Sequence, residues 1–219
     1  VLAVEGRTPR AGVVVTGVAG LAWGDRPLVE AEPVPVQVLW EDDNLLAVAK
    51  PPGLVVHPTW GHQKGTLLNG LLWLARDWSE GQRPHLVHRL DQDTSGLMLV
   101  AKSSEIAGIC GRAFERRKPV KRYLALVRGR SPVRKERISS ALARDESQGG
   151  RWWVTDQGGL PSRTDYELLA ESRGGELSLL ACRLWTGRTH QIRVHLASRA
   201  LPIVGDPVYG AARGQELGD

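Results

Sequence analysis

The 219 residues, 42% of them hydrophobic, suffice to bury a full core, so a disordered or fibrous chain is excluded. No run of about 18 apolar residues occurs, and Glu5 and Arg7 stand where a secretion signal would need an apolar stretch. A membrane span and a signal peptide are therefore not expected, and the expected location is the cytoplasm. The net charge is +5, and 23 of the 29 basic residues are arginine, whose planar fork suits phosphate oxygens and base stacking.

The first 36 residues hold short pieces rich in valine and glycine, then the proline-acid stretch Glu30-Ala31-Glu32-Pro33-Val34-Pro35, which reads as a linker. Residues 1–35 are therefore set apart from a main domain, 36–219. Val36–Trp40 and Leu45–Ala49 flank the turn Glu41-Asp42-Asp43-Asn44, a hairpin signature. Lys50-Pro51-Pro52-Gly53 closes the second strand, because consecutive prolines cannot donate ladder hydrogen bonds. Leu67–Leu74 has helical apolar spacing.

Next comes His88-Arg89-Leu90-Asp91-Gln92-Asp93-Thr94-Ser95-Gly96, with two carboxylates, an arginine and a histidine in nine residues. Leu97–Ala101 follows it, apolar throughout, as expected of a strand buried on both faces. A turn held by a rigid strand suits a reactive carboxylate; taken alone, the same residues read first as a salt-bridged Asx turn. Ser104–Glu115 reads as a helix with Ser103 or Ser104 at its N-cap.

From Arg112 to Arg137 eleven Lys and Arg stand against Glu115 and Glu136, a density that fits a nucleic-acid footprint or a solvated basic surface. Strands are predicted over Tyr123–Val127, Arg163–Leu169 and Glu176–Leu184, the last two joined by a hairpin at Ser172-Arg173-Gly174-Gly175. A final helix is predicted over His190–Arg199 with Thr189 as its cap. Strands outnumber helices, and the class is α+β.

Three polar clusters border element ends: Lys50–Pro58, His88–Gly96, and Thr186-Gly187-Arg188-Thr189-His190-Gln191-Ile192-Arg193-Val194-His195. They contain no serine or cysteine arranged with a base, so a hydrolytic triad is not indicated. The glycines form neither a phosphate-cradling loop nor a dinucleotide fingerprint. Cys110 and Cys182 are isolated and are read as small apolar residues, not as a disulfide or metal site. A metal-dependent phosphodiesterase using Asp91, Asp93 and nearby histidines is a weaker reading, because the spacing lacks a ligand set.

Together with Lys121-Arg122-Tyr123-Leu124-Ala125-Leu126-Val127 and Pro202-Ile203-Val204-Gly205-Asp206-Pro207-Val208-Tyr209-Gly210, these clusters resemble the motifs of the RluA family of RNA pseudouridine synthases, in particular the large-subunit ribosomal RNA type. The likeness runs from Val36 to Gly210. It implies an α+β pseudouridine synthase fold, with a central, mainly antiparallel mixed sheet flanked by helices and loops and a catalytic cleft across the sheet.

The resemblance implies that specific uridines are isomerised to pseudouridine by base detachment, rotation and rejoining through C5. Asp91 matches the catalytic aspartate, which attacks or deprotonates the ribose. Tyr123 matches the tyrosine that packs on the base, and Arg193 the basic residue that pairs with the aspartate. Arg89 matches the arginine that holds open the space of an extruded uridine. His88, Thr94, Lys50, His57, Arg188, His190 and Gln191 are expected to contact RNA. No cofactor or metal is implied; the expected partner is RNA, ribosomal first and transfer RNA second, with a monomeric enzyme. A non-catalytic RNA-binding or ribosome-assembly protein on the same fold is the alternative.

Residues 4–26 resemble only the closing part of an S4-like RNA-binding domain. The chain also stops soon after Gly210, where relatives continue.

Overall fold

The computed structural model describes residues 29–59, 61–145 and 150–210. The expected S4-like remnant lies almost wholly outside the described residues. The chain divides into two units, one ending at Ser103 and the other beginning at Ser104.

In the first unit, strands β1 (Gln37–Glu41), β2 (Leu45–Lys50), β3 (His85–Leu86) and β4 (Gly96–Ala101) form an antiparallel sheet in the order β1-β2-β4-β3. The β1–β2 hairpin is fixed by Asp42, whose Oδ1 accepts the Asn44 and Leu45 amides at 2.8 and 2.7 Å. Leu46 and Val48 on β2, with Met98 and Val100 on β4, are fully buried. The expectation that Leu97–Ala101 is buried on both faces needs correcting at its start, since Leu97 is 56% exposed. An antiparallel sheet can leave one face to solvent, and at its first residues β4 does so.

Helix α1 (Leu67–Leu74) has the predicted bounds. A capping box starts it: the Thr66 side chain accepts from the Asn69 amide, and Asn69 Oδ1 accepts from the Thr66 amide. The stretch read as a linker is held against this helix. The Glu32 amide donates to Asn69 O at 3.1 Å, Asn69 Nδ2 donates to Glu30 O at 2.8 Å, and Gly65 N–H donates to Glu32 Oε2 at 2.8 Å.

The second unit begins with helix α2 (Ser104–Glu115), again with the predicted bounds. Strands β5 (Lys121–Arg128), β6 (Lys135–Asp145), β7 (Arg151–Thr155), β8 (Leu160–Glu171) and β9 (Leu177–Leu184) form an antiparallel sheet ordered β5-β9-β8-β6-β7. The β8–β9 hairpin turns where predicted, with Gly175 N–H donating to Ser172 O at 2.9 Å. Helix α3 (Gln191–Ala197) lays Leu196 among Val127, Ile138, Tyr166, Leu180 and Cys182, so it covers one face of this sheet. Burial pushes the Cys182 thiol up to about 12, in keeping with an inert core residue.

Helix α3 is shorter than the predicted 190–199, and Thr189 does not cap it. His190 occupies the N-cap in the left-handed region, φ 54°, without a side-chain cap bond. The Gln191 carboxamide instead ties the turn before the helix to its first residue: its Oε1 accepts the Arg188 amide at 3.0 Å and the Thr186 hydroxyl at 2.7 Å. Strands β6 and β7 match no element predicted from the sequence. Both units are α+β in composition, as expected, with the strands divided between two sheets. No described helix is long and apolar enough to cross a membrane.

Candidate active site

In the first unit the site is built around the turn that carries Asp91. Lys50, the last residue of β2, is 1% exposed, and its Nζ donates to Pro51 O at 2.8 Å, Leu54 O at 2.8 Å and Gln92 O at 2.7 Å. An ammonium carries three donors, so all are used within the protein and none remains for an RNA phosphate. Burial pulls the lysine below its ordinary range, and the charges of Asp93 and Asp91 offset part of that. Gln92 Nε2 adds a bond back to Gly53 O at 3.2 Å. The Lys50–Leu54 loop and the Asp91 turn are thus tied together at the residue following the candidate carboxylate.

His88 anchors the other end of the turn. Its Nε2 accepts the Leu99 amide of β4 at 2.9 Å, so that nitrogen is unprotonated in this arrangement. Between the two anchors the Thr94 amide donates to Asp91 O at 3.1 Å, closing a tight turn. Asp91 and Thr94 are half-buried, whereas Arg89 and Asp93 are exposed. His57 is exposed on the loop after β2.

In the second unit Tyr123 lies on β5, half-buried and packed against the core cluster of Ala125, Val127 and Cys182. Arg193 lies on α3, and its Nε and Nη2 donate to Asp206 at 2.7 and 2.9 Å, a two-point ion pair with the Asp206 carboxylate only 3% exposed. Burial raises the Asp206 pKa, but the Arg193 bond and the amides of Tyr209 and Val208 outweigh it, and the net direction is down. Asp206 is an anion that sequence reasoning did not assign to Arg193; the signal available was its place in the Pro202–Gly210 motif.

Tyr209 completes this brace. Arg193 Cζ stands 5.0 Å from its ring centre, and the hydroxyl lies 2.9 Å from His190 Nδ1 while accepting the Trp152 amide at 3.0 Å. Gln191 is 2% exposed, and its Nε2 donates to Arg163 O at 3.0 Å and Thr164 Oγ1 at 2.9 Å. With Oε1 also doubly engaged, this carboxamide is fully satisfied inside the protein. Arg188 Nε donates to Pro161 O at 3.2 Å.

The first unit offers a half-buried carboxylate on a backbone locked at both ends; the second offers an aromatic ring at a sheet margin and an oriented guanidinium. Such groups serve proton transfer or nucleophilic attack at a carbon bearing a good leaving group. Among the described residues no three His, Cys, Asp or Glu side chains gather as a metal site would require.

Residues 44–198 match the family model of the RNA pseudouridylate synthases. The chain is 46% identical over 182 residues to a ribosomal large subunit pseudouridine synthase D of Nitrosomonas europaea, covering 83% of this chain and 52% of that protein. It is 40% identical over 185 residues to an RNA pseudouridine synthase of Aquifex aeolicus, covering 83% and 58%. Among solved structures it is similar to human RNA pseudouridylate synthase domain containing 1, with a TM-score of 0.69 and 29% identity over 84% of this chain and 74% of that one. The chain spans about half the length of the curated relatives it matches.

Proposed function

Because the chain belongs to the RNA pseudouridylate synthase family, we propose that it isomerises uridine to pseudouridine in RNA, ribosomal RNA in the first place. The observation that carries this reading is the Asp91 turn: a half-buried carboxylate whose backbone Lys50 and His88 hold from two sides. A residue that only decorated a surface would not need a buried lysine to fix its neighbour's carbonyl.

In the reaction the N1–C1′ bond of the uridine breaks, the uracil rotates, C5 joins C1′, and the C5 proton passes to solvent while N1 gains one. Atoms and electrons balance without a cofactor. Asp91 acts on the ribose, as nucleophile or as base; Tyr123 packs against the base and is the candidate for handling the C5 proton. Arg193 is the cation of the site, oriented by Asp206, and Arg89 holds the space of the displaced uridine. In the first unit Lys50 fixes the Asp91 turn from within, with His88 and Thr94 in the turn and His57 on the loop after β2; in the second Gln191 braces the start of α3, next to Arg188 and His190. Transfer RNA as a further substrate, a monomeric state and a cytoplasmic location belong to the same proposal, as does the division into residues 1–35 and a domain over 36–219.

The test is incubation with RNA tritiated at C5 of uridine, since that hydrogen must leave when C5 forms the new bond. Tritium appears in the solvent if the reading is right. RNA binding with no release leaves only a binding protein on this fold and ends the isomerase proposal.

A further inference from the structure

Arg122 and Tyr123 are neighbours on β5 and so face opposite sides of the sheet. Tyr123 packs on the core side. On the other side the register places Arg122 opposite Arg183 on β9, Arg183 opposite Asp165 on β8, and Asp165 opposite Arg137 on β6. One row of charged side chains therefore crosses four strands. Arg163, two residues before Asp165, adds a fourth arginine to the same face.

The row is ordered by its own contacts. Asp165 receives Arg163 Nε and Nη2 at 3.1 Å each, Arg137 Nε at 3.1 Å and Trp185 Nε1 at 2.9 Å. The guanidiniums of Arg163 and Arg183 stand 4.2 and 4.1 Å from the centre of the Trp185 ring. One carboxylate thus binds Arg137 and Arg163 directly and fixes Trp185, and the stacked tryptophan restricts Arg163 and Arg183 in advance of any ligand; the four arginines of the face outnumber that single anion. A depression of about 620 Å³ lies over Arg122, Arg137 and Arg183. A narrower cleft joins Arg183 and Trp185 to Arg117 and Lys121 at the turn from α2 into β5. Glu167, which also lines the depression, is paired with Lys135 at 3.2 Å.

We propose that this arginine row is a second anchoring site for RNA, holding phosphodiester groups on the sheet face opposite Tyr123. The inference rests on the RNA-modification reading for its choice of ligand. Neighbouring strands stand about 4.8 Å apart, so Arg122 and Arg183 present adjacent charges and Arg137 a third two strands further on. A chain of phosphates engages these together, as a single small anion cannot. Because β5 ends the strand order of its sheet, an RNA strand passing the Lys121 end meets Arg122 on one face and Tyr123 on the other.

The experiment compares the unaltered protein with Arg122→Gln/Arg183→Gln and with Arg130→Gln/Arg173→Gln, which removes the same charge at the opposite end of the same sheet. Binding of transcribed large-subunit ribosomal RNA is measured from 50 to 200 mM salt, and tritium release is followed in parallel. The row variant is expected to lower the salt slope by about two and raise Kd roughly tenfold, with kcat at saturating RNA retained. The control pair is expected to keep the slope. Equal slopes for all three proteins, or equal losses in both variants, overturn the proposal. Arg122→Gln alone, expected to lower the slope by about one, decides the matter if the double variant folds poorly. A protein that releases no tritium sinks the isomerase reading, and the slope comparison still decides the anchoring site.

Discussion

At the Asp91 turn the candidate reactive anion and an architectural cation have separate tasks: Lys50 holds Gln92 O, and Asp91, its neighbour, is the group proposed to act on the substrate. Removing the charge alone tests that division of labour. Asp91→Asn keeps the shape of the side chain and the Lys50 anchor, so the turn should persist while the chemistry stops. Tritium release is expected to fall at least about a thousandfold, the scale on which loss of a single nucleophile or base acts. RNA affinity measured beside it is expected to stay within a few fold, and retained turnover would remove Asp91 from the centre. The crowding of charge before an apolar strand singles out the Asp91 turn in the sequence, and only the resemblance to the family's motifs points to Asp91 itself. What the sequence could not show is which polar side chains turn inward. Lys50 and Gln191 sit in motif segments and were read as RNA contacts, yet burial and partner geometry depend on strands that arrive from elsewhere in the chain.

Elements whose signals are local were legible to the residue. Helices α1 and α2 begin and end as predicted, because their apolar spacing lies within the segments themselves. Strand β6 was not, since Lys135–Asp145 carries only Ile138 and Leu142 as fully buried residues among Arg, Ser and Ala. Its pairing comes from β8 on one side and β7 on the other. The segment before β1 was read as a linker for a similar reason, because its partner α1 lies more than thirty residues on. Gly70 marks that contact: a Cβ there would stand 2.7 Å from Val34 O and 2.9 Å from the Val34 and Val36 side chains. Alanine normally stabilises a helix interior by about 1 kcal/mol over glycine. Here three contacts under 3.0 Å, one of them to a backbone oxygen, put the opposing crowding in the upper part of its usual range, about 2–3 kcal/mol, so Gly70→Ala is expected to destabilise by about 1–2 kcal/mol in urea denaturation. Equal or greater stability would show that residues 30–36 do not bear on α1 in solution.

For the whole molecule, the buried histidine of α3 makes folding answer to pH. His195 is completely buried, with Nε2 at 3.0 and 2.8 Å from the Ser140 and Ser162 hydroxyls and Nδ1 at 2.8 Å from Thr164 Oγ1. Burial, helped by the Arg199 charge, holds its pKa down to about 4, against 6.5 for an unperturbed imidazole. Above 6.5 the ring is neutral folded or unfolded, and it contributes no pH dependence. Between 6.5 and 4 the unfolded chain binds a proton that the folded one refuses, so stability is lost as pH falls; below 4 both states are protonated and the loss stops. The shift corresponds to about 3 kcal/mol at most. For a chain of this size that lowers Tm by roughly 6–12 °C between pH 7.5 and 4. His195→Gln cannot titrate; it starts from a lower Tm for lack of one hydrogen-bonding nitrogen, but its decline over that interval should be shallower by the same amount. Parallel Tm curves for the two proteins would show that the ring takes up its proton in the fold as readily as in the unfolded chain, against a burial that holds its pKa down to about 4.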